Sequence, residues 1–241
     1  MKVLICVLSS QTCINFKILT KVQKETCFKS IHPDISGLKF YYGKPVYKDT
    51  DLDWYFDCLD NITNIGHKTL KAFERALLKE WDYLFRPNSS LFVNQNKLIE
   101  FLQDKPRLNF ASGINGLSPE NILFLAGSGY IISRDVVQLI VDNKDLWNHN
   151  YIDDVAISEL MQRLGVVFDR TYRSMGIKVT KEGFDVWQNN NATVSLHKFS
   201  KLTDIPFLTD HFHIRVNNAN GKDRNTDIQL MKELNKIFKD D

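Results

Sequence analysis

Two adjacent carboxylates, Asp153 and Asp154, are the side chains best placed by type and spacing for acid–base chemistry. They stand at the start of a predicted helix over residues 154–164, and the amino end of a helix stabilises negative charge. One interpretation is therefore capping of that helix. The other is catalysis, since a carboxylate can take the proton of a hydroxyl group that attacks a substrate. The residue types alone leave both open.

A second candidate site follows a predicted strand over residues 83–85. Arg86, Asn88 and Ser90 come directly after it, and ligands of open α/β sheets bind beyond the carboxyl ends of the strands. Ser9, which follows the first predicted strand, is assigned to the same ligand site. The alternative is a structural turn stopped by Pro87, because proline cannot continue a central ladder.

A group of basic side chains lies late in the chain. His211, His213 and Arg215 alternate, so they share one face of a predicted strand. Lys222 and Arg224 follow in a segment rich in Asn and Gly. Such cations can hold phosphate groups, although a solvated strand and loop would show the same composition.

Three stretches, taken in order, resemble Fringe-like and β-1,3-galactosyltransferase-like glycosyltransferases. Residues 64–69, Asn-Ile-Gly-His-Lys-Thr, are similar to the family segment NLTLKT, and residues 86–94 are similar to the region of DDDTYVN. Residues 126–133, Ala-Gly-Ser-Gly-Tyr-Ile-Ile-Ser, resemble GGAGYVLS, and residues 153–155 resemble the EDV that follows it. The likeness covers roughly residues 60–165.

This resemblance implies a GT-A fold, a UDP-linked sugar donor, a glycan acceptor and inversion at the sugar carbon. It places the catalytic base at Asp154, with Asp153 as the next candidate. It places Gly127, Ser128 and Gly129 beside the acceptor and the donor sugar; the glycines otherwise suit a tight connection. It also places a histidine near His213, beside the donor pyrophosphate.

One departure from the family concerns its metal-binding DxD acids. The three positions are Asn88, Ser89 and Ser90 here, and neutral amides and hydroxyls are poor ligands for Mn²⁺ or Mg²⁺. We therefore expect no cofactor and no metal site, with the late basic group offsetting the charge of the departing diphosphate. The alternatives are an inactive relative that only binds glycans or sugar nucleotides, and an unrelated α/β protein.

Of the aromatic residues, Trp54, Trp147 and Trp187 could stack on sugar rings. A tryptophan buries a large apolar ring system, so we expect most of them to lie in the core.

The elements that must position these residues alternate between strand and helix in the first half of the chain, which predicts a mostly parallel sheet. We predict one α/β GT-A domain over residues 1–241, with a nucleotide-sugar-binding half (1–115) and a smaller, mixed acceptor-binding and catalytic half (116–241). Gly127, Ser128 and Gly129 are predicted to form a turn, and residues 45–64 to be mostly loop. The remaining predictions are strands at 3–8, 38–42, 108–112, 122–125, 166–168 and 211–216, and helices at 13–28, 65–80, 97–102, 135–141 and 226–238.

The composition and charge of the chain limit the classes of partner that it can bind. The net charge of +2 shows no electrostatic footprint for nucleic acid, and the apolar stretches are too short to span a bilayer. The four cysteines, all before residue 60, have no metal-ligand spacing, so reduced thiols and a cytoplasmic location are expected. The frequent Asn, Lys, Ile and Phe indicate an AT-rich viral or bacterial genome.

Overall fold

Two β-sheets organise the computed structural model, which describes residues 1–190, 193–216 and 224–238. The strands are β1 (Val3–Leu8), β2 (Ile35–Tyr42), β3 (Asp53–Tyr55), β4 (Tyr83–Pro87), β5 (Leu91–Val93), β6 (Ala111–Leu117), β7 (Leu123–Ser133), β8 (Phe168–Asp169), β9 (Ser174–Val179), β10 (Phe184–Asn189), β11 (Val194–Phe199) and β12 (His213–Val216). The α-helices are α1 (Ile14–Glu25), α2 (Ile65–Ala76), α3 (Gln95–Leu102), α4 (Arg134–Asp142), α5 (Asp153–Arg163) and α6 (Asn225–Ile237).

The larger sheet has seven strands in the order β3-β2-β1-β4-β7-β6-β8. β1 pairs in parallel with β2 and with β4, β2 with β3, and β6 with β8, whereas β7 runs antiparallel to β4 and β6. The carboxyl ends of β1, β2 and β4 therefore meet at one edge of the sheet. The predicted α/β class with a mostly parallel central sheet is confirmed.

The smaller sheet has the order β11-β10-β9-β12-β5 and is mixed, because only β9 and β12 pair in parallel. It joins β5 from the first half of the chain to four strands from the second half. The predicted division at residue 115 stays a prediction, and strand pairing crosses it.

β1 shows why the larger sheet forms. Its sequence is a continuous apolar run, which is typical of a strand buried on both faces. Val3, Ile5 and Val7 enter one hydrophobic core, and Leu4 and Cys6 enter the other. This alternation follows from the two-residue period of a strand.

The carboxyl end of α5 shows why that helix stops where it does. Gly165 has a φ of +81°, its N–H donates to the Gln162 carbonyl (3.0 Å), and the Val166 N–H donates to the Met161 carbonyl (2.9 Å). This is the glycine-terminated ending in which the last carbonyls of a helix find partners.

Several predicted boundaries are wrong. Gly127, Ser128 and Gly129 do not form a turn: they lie inside β7, where Gly129 pairs with Pro87 of β4 and the Ser128 carbonyl accepts from the Asn88 N–H. The region 45–64 is mostly loop, as predicted, with the short strand β3 inside it, whereas β10 and β11 lie where no element is predicted. In each case pairing with neighbouring strands makes the segment a strand, although the local residue pattern does not predict one.

Smaller differences concern the ends of elements. The strand predicted to stop after Phe85 continues through Arg86 and Pro87, with the proline at its last position, where a missing N–H is tolerated. The strand predicted at 166–168 is only β8, and β12 begins at His213 rather than at His211.

Within the described ranges, no helix combines the length and the apolar character that crossing a bilayer requires.

We predict that Gly183 is the glycine most sensitive to replacement in the described turns. Its φ is +137°, and a Cβ there would stand 2.2 Å from the Phe199 carbonyl oxygen. Gly183→Ala should lower the free energy of unfolding by about 3 kcal/mol or more, because strain and a backbone clash combine. Urea denaturation would measure this loss.

The matched control is Gly165→Ala. This glycine also has a positive φ, but a Cβ there meets nothing within 4 Å. It should lose only the ~1–2 kcal/mol of the left-handed conformation. Equal losses in the two variants would contradict the clash at Gly183.

Candidate functional site

A buried ion pair joins the end of β4 to the start of α5. Arg86 has no exposed surface, and its Nη2 contacts the Asp153 carboxylate, of which 5% is exposed. Its Nη1 donates to the Gly127 carbonyl (2.6 Å) and its Nε to the Tyr41 hydroxyl (3.1 Å). The guanidinium therefore holds β2, β4, β7 and α5 together from inside.

These contacts bear on two predicted roles. Burial raises the pKa of the Asp153 carboxyl, an effect that the Arg86 charge opposes. Asp153 is therefore paired with a group inside the protein. The same holds for Arg86, which is predicted to bind the sugar donor. A contact between Arg86 and a donor stays a prediction, and any such contact must be made from within the core.

Asp154 lies differently, at the partly exposed end of the same helix turn. Its Oδ2 accepts from the Gly127 N–H (2.8 Å) and its Oδ1 from the Val155 N–H (3.0 Å). A Cβ on residue 127 would lie 3.1 Å from that Oδ2, so a larger residue would push the carboxylate away by a few tenths of an ångström. Two backbone donors thus orient a carboxylate that still reaches solvent.

The predicted donor residues Asn88 and Ser90 form a tight local turn. Asn88 Oδ1 accepts from the Ser90 N–H (3.0 Å) and from the Ser90 hydroxyl (2.7 Å). The Asn88 N–H donates to the Ser128 carbonyl (3.1 Å), and Asn88 bridges to Leu8 at the end of β1. The structure therefore brings together the ends of β1, β4 and the middle of β7, as the sequence predicts for Asn88 and Ser90.

The side chains at the three DxD positions, Asn88, Ser89 and Ser90, do not suit a divalent metal. The Asn88 oxygen is already engaged by Ser90, and Ser89 offers only a buried hydroxyl. No cluster of three or more His, Cys, Asp or Glu side chains exists in the described parts of the chain. Because Mn²⁺ and Mg²⁺ require charged oxygens, no chemical step is assigned to a metal here.

A second buried ion pair, between Asp60 and Lys68, was missed as a site by sequence reasoning. Lys68 Nζ donates to Asp60 Oδ1 (2.5 Å) and to the Ser9 carbonyl (2.7 Å), while Asp60 Oδ2 accepts from the Gln11 N–H (2.5 Å). Burial alone would raise the pKa of Asp60, but Lys68 lowers it below its ordinary value. The pair fixes the loop after β1, which carries the predicted donor residue Ser9. The available signal was the place of Lys68 within the family-like stretch 64–69.

His213 lies under β7, completely buried. Its Nδ1 is 2.5 Å from the Tyr172 hydroxyl, which also donates to the Gly129 carbonyl (3.2 Å). Burial, with the nearby Arg215 and His211, lowers the pKa of His213 to about 3, so its ring is neutral near pH 7. Its role is therefore that of a neutral hydrogen-bonding group rather than a cation.

Two buried polar atoms beside this histidine lack a protein partner. His213 Nε2 and Ser128 Oγ make no hydrogen bond within the described residues. Such groups cost ~1–3 kcal/mol each when they stay unpaired. They lie on β12 and β7, the strands that also carry Arg215 and Gly127.

The residues of the late basic group differ in their surroundings, although Arg215 is close enough to His213 and Arg224 to lower the pKa of His213 and to have its own pKa lowered by burial and by Arg224. Arg215 is exposed on β12, whereas His211 lies before that strand and its Nδ1 donates to the Phe207 carbonyl (2.9 Å). Arg224 Nε lies 2.5 Å from the buried Asp227 carboxylate. Lys222 lies outside the described residues. Phosphate binding by Arg215, Lys222 and Arg224 stays a prediction.

Comparison with known proteins gives partial matches along the sequence. No protein-family model matches the chain. Mouse β-1,3-galactosyltransferase 1 is 28% identical over 134 residues, which cover 46% of this chain and 41% of that protein. A UDP-GalNAc:β-1,3-N-acetylgalactosaminyltransferase 2 from Xenopus tropicalis is 25% identical over 126 residues, or 44% of this chain and 26% of that protein.

This chain is similar to glycosyltransferases. The matched region spans less than half the length of these curated relatives. The likeness in fold is more extensive: a crystal structure of a glycosyltransferase involved in the glycosylation of the major capsid of PBCV-1 aligns with a TM-score of 0.55 at 12% identity, over 97% of this chain and 100% of that chain. The predicted GT-A-type α/β fold is confirmed.

We predict that Lys68→Met strongly destabilises the protein. Asp60 would keep its buried charge without a partner, and breaking a buried pair from one side costs about 3–5 kcal/mol. Urea denaturation of the variant would measure the change in the free energy of unfolding.

The double variant Asp60→Asn with Lys68→Met serves as the control. It removes the stranded charge and keeps an amide oxygen for the Gln11 N–H, so it should be more stable than Lys68→Met alone. A double variant as unstable as the sum of the two single changes would show that the pair is not coupled.

Proposed function

We propose that this chain is an inverting glycosyltransferase that moves a sugar from a UDP-linked donor to a glycan hydroxyl without a divalent metal. The observation that carries the proposal is the position of Asp154, a partly exposed carboxylate held by two backbone N–H groups, one of them from Gly127 of β7. It lies where the glycosyltransferase-like stretches of the sequence converge. The similar proteins and the shared fold support the same class of reaction.

The donor is assigned to the edge where β1, β2 and β4 end. Their carboxyl ends are the usual binding edge of an open α/β sheet. A mainly apolar depression there is lined by Thr12, Pro45, Val46 and Leu59, next to the buried Asp60. The apolar lining suits one face of a nucleobase, Lys44 and Asp57 stand at the same depression, and the polar turn at Asn88 suits the sugar or the phosphates.

The chemical step needs a base and a place for the departing charge. The acceptor oxygen attacks the anomeric carbon, the bond from that carbon to the diphosphate breaks, and its electron pair leaves on the diphosphate oxygen. Asp154 takes the proton of the acceptor hydroxyl as the new bond forms. Asp153, fixed by Arg86, orients the helix turn that carries Asp154 and is a positioning residue.

Negative charge develops on the departing diphosphate. Hydrogen-bond donors and cations that are already in position stabilise it. The Ser128 hydroxyl is a buried group available to donate a hydrogen bond. Arg215 is the exposed cation on the same strand as His213, and Lys222 and Arg224 follow it along the chain. In this proposal these groups take the place of the metal that the DxD acids bind in the family.

The alternative is an inactive relative that only binds glycans or sugar nucleotides. Two observations favour it: the neutral Asn88, Ser89 and Ser90, and the internal engagement of Arg86. The retained, oriented Asp154 favours the enzyme. The predicted cytoplasmic location belongs to the same proposal.

We predict that Asp154→Asn lowers kcat at least ~100-fold, as expected for loss of a general base, and leaves the Kd for the donor little changed. Transfer or hydrolysis of UDP-sugars and calorimetry of donor binding would measure the two quantities. Asp145→Asn, at an exposed position away from the ion pairs, is the matched control. Undiminished turnover in Asp154→Asn would remove this residue from the mechanism, and absence of turnover in the unchanged protein would favour the inactive relative.

We also predict that donor binding does not depend on a divalent cation. Calorimetric titration of UDP-sugars into protein treated with EDTA should give the same Kd as titration with added Mn²⁺, because the DxD positions hold no carboxylate. Binding that EDTA abolishes and Mn²⁺ restores would refute metal independence.

A further inference from the structure

Trp187 differs from the other tryptophans in its exposure. Trp54, Trp81 and Trp147 are buried in the core, with 2–5% of their surface exposed. Trp187, on β10, is partly exposed. These four are all the tryptophans in the chain, so the one indole at the surface needs an explanation other than core packing.

Strand register places Trp187 in a row across one face of the smaller sheet. It stands opposite Leu196 on β11 and opposite Gly176 on β9, and Gly176 stands opposite Arg215 on β12. A Cβ on Gly176 would lie 3.7 Å from the indole Cε3. The glycine therefore leaves the indole lying against the strand, with Leu196 and Arg215 exposed on either side of the pair.

Polar side chains border this row. Asn189 and Ser174 occupy the next positions on the same face toward one end of the strands, and Asp185 and Lys178 toward the other. Charged residues are depleted from the centres of protein–protein interfaces. An indole bordered by Asn189, Asp185 and Lys178, with the exposed Leu196 and Val194 beyond it on β11, suits a sugar, which has both an apolar face and polar hydroxyl groups.

The face is continuous with the candidate site. His213 and Arg215 are two residues apart on β12 and so point to the same side, and His213 lies against Gly129 of β7. The next residue, Val216, donates its N–H to the Ser90 carbonyl (3.1 Å). The row from Arg215 to Trp187 thus leads away from the turn assigned to the donor.

We propose that this face of the smaller sheet binds the glycan acceptor, with one pyranose ring stacked on Trp187. It rests on the proposed function and names the substrate surface of that site. One side of a pyranose carries several C–H groups, which are apolar and weakly positive and so suit the negative face of an indole. Its hydroxyl groups point outward to the bordering Asn189, Asp185 and Lys178.

Direct glycan binding, measured without donor, tests the surface separately from catalysis. The unchanged protein, Trp187→Ala and Trp187→Phe are applied to an array of printed oligosaccharides, and the Kd for the best glycan is measured from tryptophan fluorescence and by calorimetry. Leu78→Ala removes an apolar side chain that is 85% exposed elsewhere and is the matched control. Melting temperatures, and the Kd for UDP, report whether each variant is folded.

The expected result is binding by the unchanged protein, a loss of at least tenfold in Trp187→Ala, a smaller loss in Trp187→Phe, and no change in Leu78→Ala or in UDP binding. Should Trp187→Ala fail to fold, Gly176→Leu provides the test, since its side chain would lift the indole from the strand. Equal glycan binding by Trp187→Ala and the unchanged protein would overturn the proposal, as would absence of binding to every printed glycan. Binding that depends on Trp187 in a protein without transferase activity would retain the surface and refute the proposed function.

Discussion

The Arg86 guanidinium is completely buried, and the rest of the site depends on how it is satisfied. A buried charge is tolerable only with a close counter-ion and further hydrogen bonds. Asp153, the Gly127 carbonyl and the Tyr41 hydroxyl provide these. Because these partners come from α5, β7 and β2, one side chain at the end of β4 sets the position of three other elements.

The same ion pair separates two neighbouring carboxylates. Asp153 points inward to Arg86. The neighbouring Asp154 stays partly exposed and is oriented by backbone N–H groups. Two carboxyl groups adjacent in sequence therefore occupy different environments, and different environments allow different roles. In the proposed mechanism Asp153 has the positioning role and Asp154 the proton-transfer role.

A buried ion pair also stabilises the edge of the larger sheet that is assigned to the sugar donor. Lys68 and Asp60 are both buried and hold the loop after β1 through the Ser9 carbonyl and the Gln11 N–H. At the neighbouring turn, the neutral Asn88, Ser89 and Ser90 stand at the positions that resemble the DxD segment. The proposed function therefore assigns the charge of the diphosphate to protein groups rather than to a metal.

The local sequence pattern was sufficient to predict the helices and strands that depend on residues near one another in the chain. The apolar run of β1, the amphipathic α2 and the acidic start of α5 follow from the burial of one or two faces. The order of the family-like stretches was enough to select Asp154 and the turn at Asn88 as candidates. These inferences need only residues that are near one another in the chain.

Tertiary structure decided what depends on distant partners. Gly127 and Gly129 lie within a strand because β4 and β6 flank it, whereas glycine by itself favours a turn. Arg86 and His213 are buried because α5, Tyr172 and β7 cover them, so their charge and reach could not be judged from residue type. The partial exposure of Trp187, unlike the burial of Trp54 and Trp147, follows from its place on one face of the smaller sheet, which only strand pairing decides. Burial and pairing are set by contacts far apart in the sequence, and for that reason only the folded chain determines which of these side chains can meet a ligand.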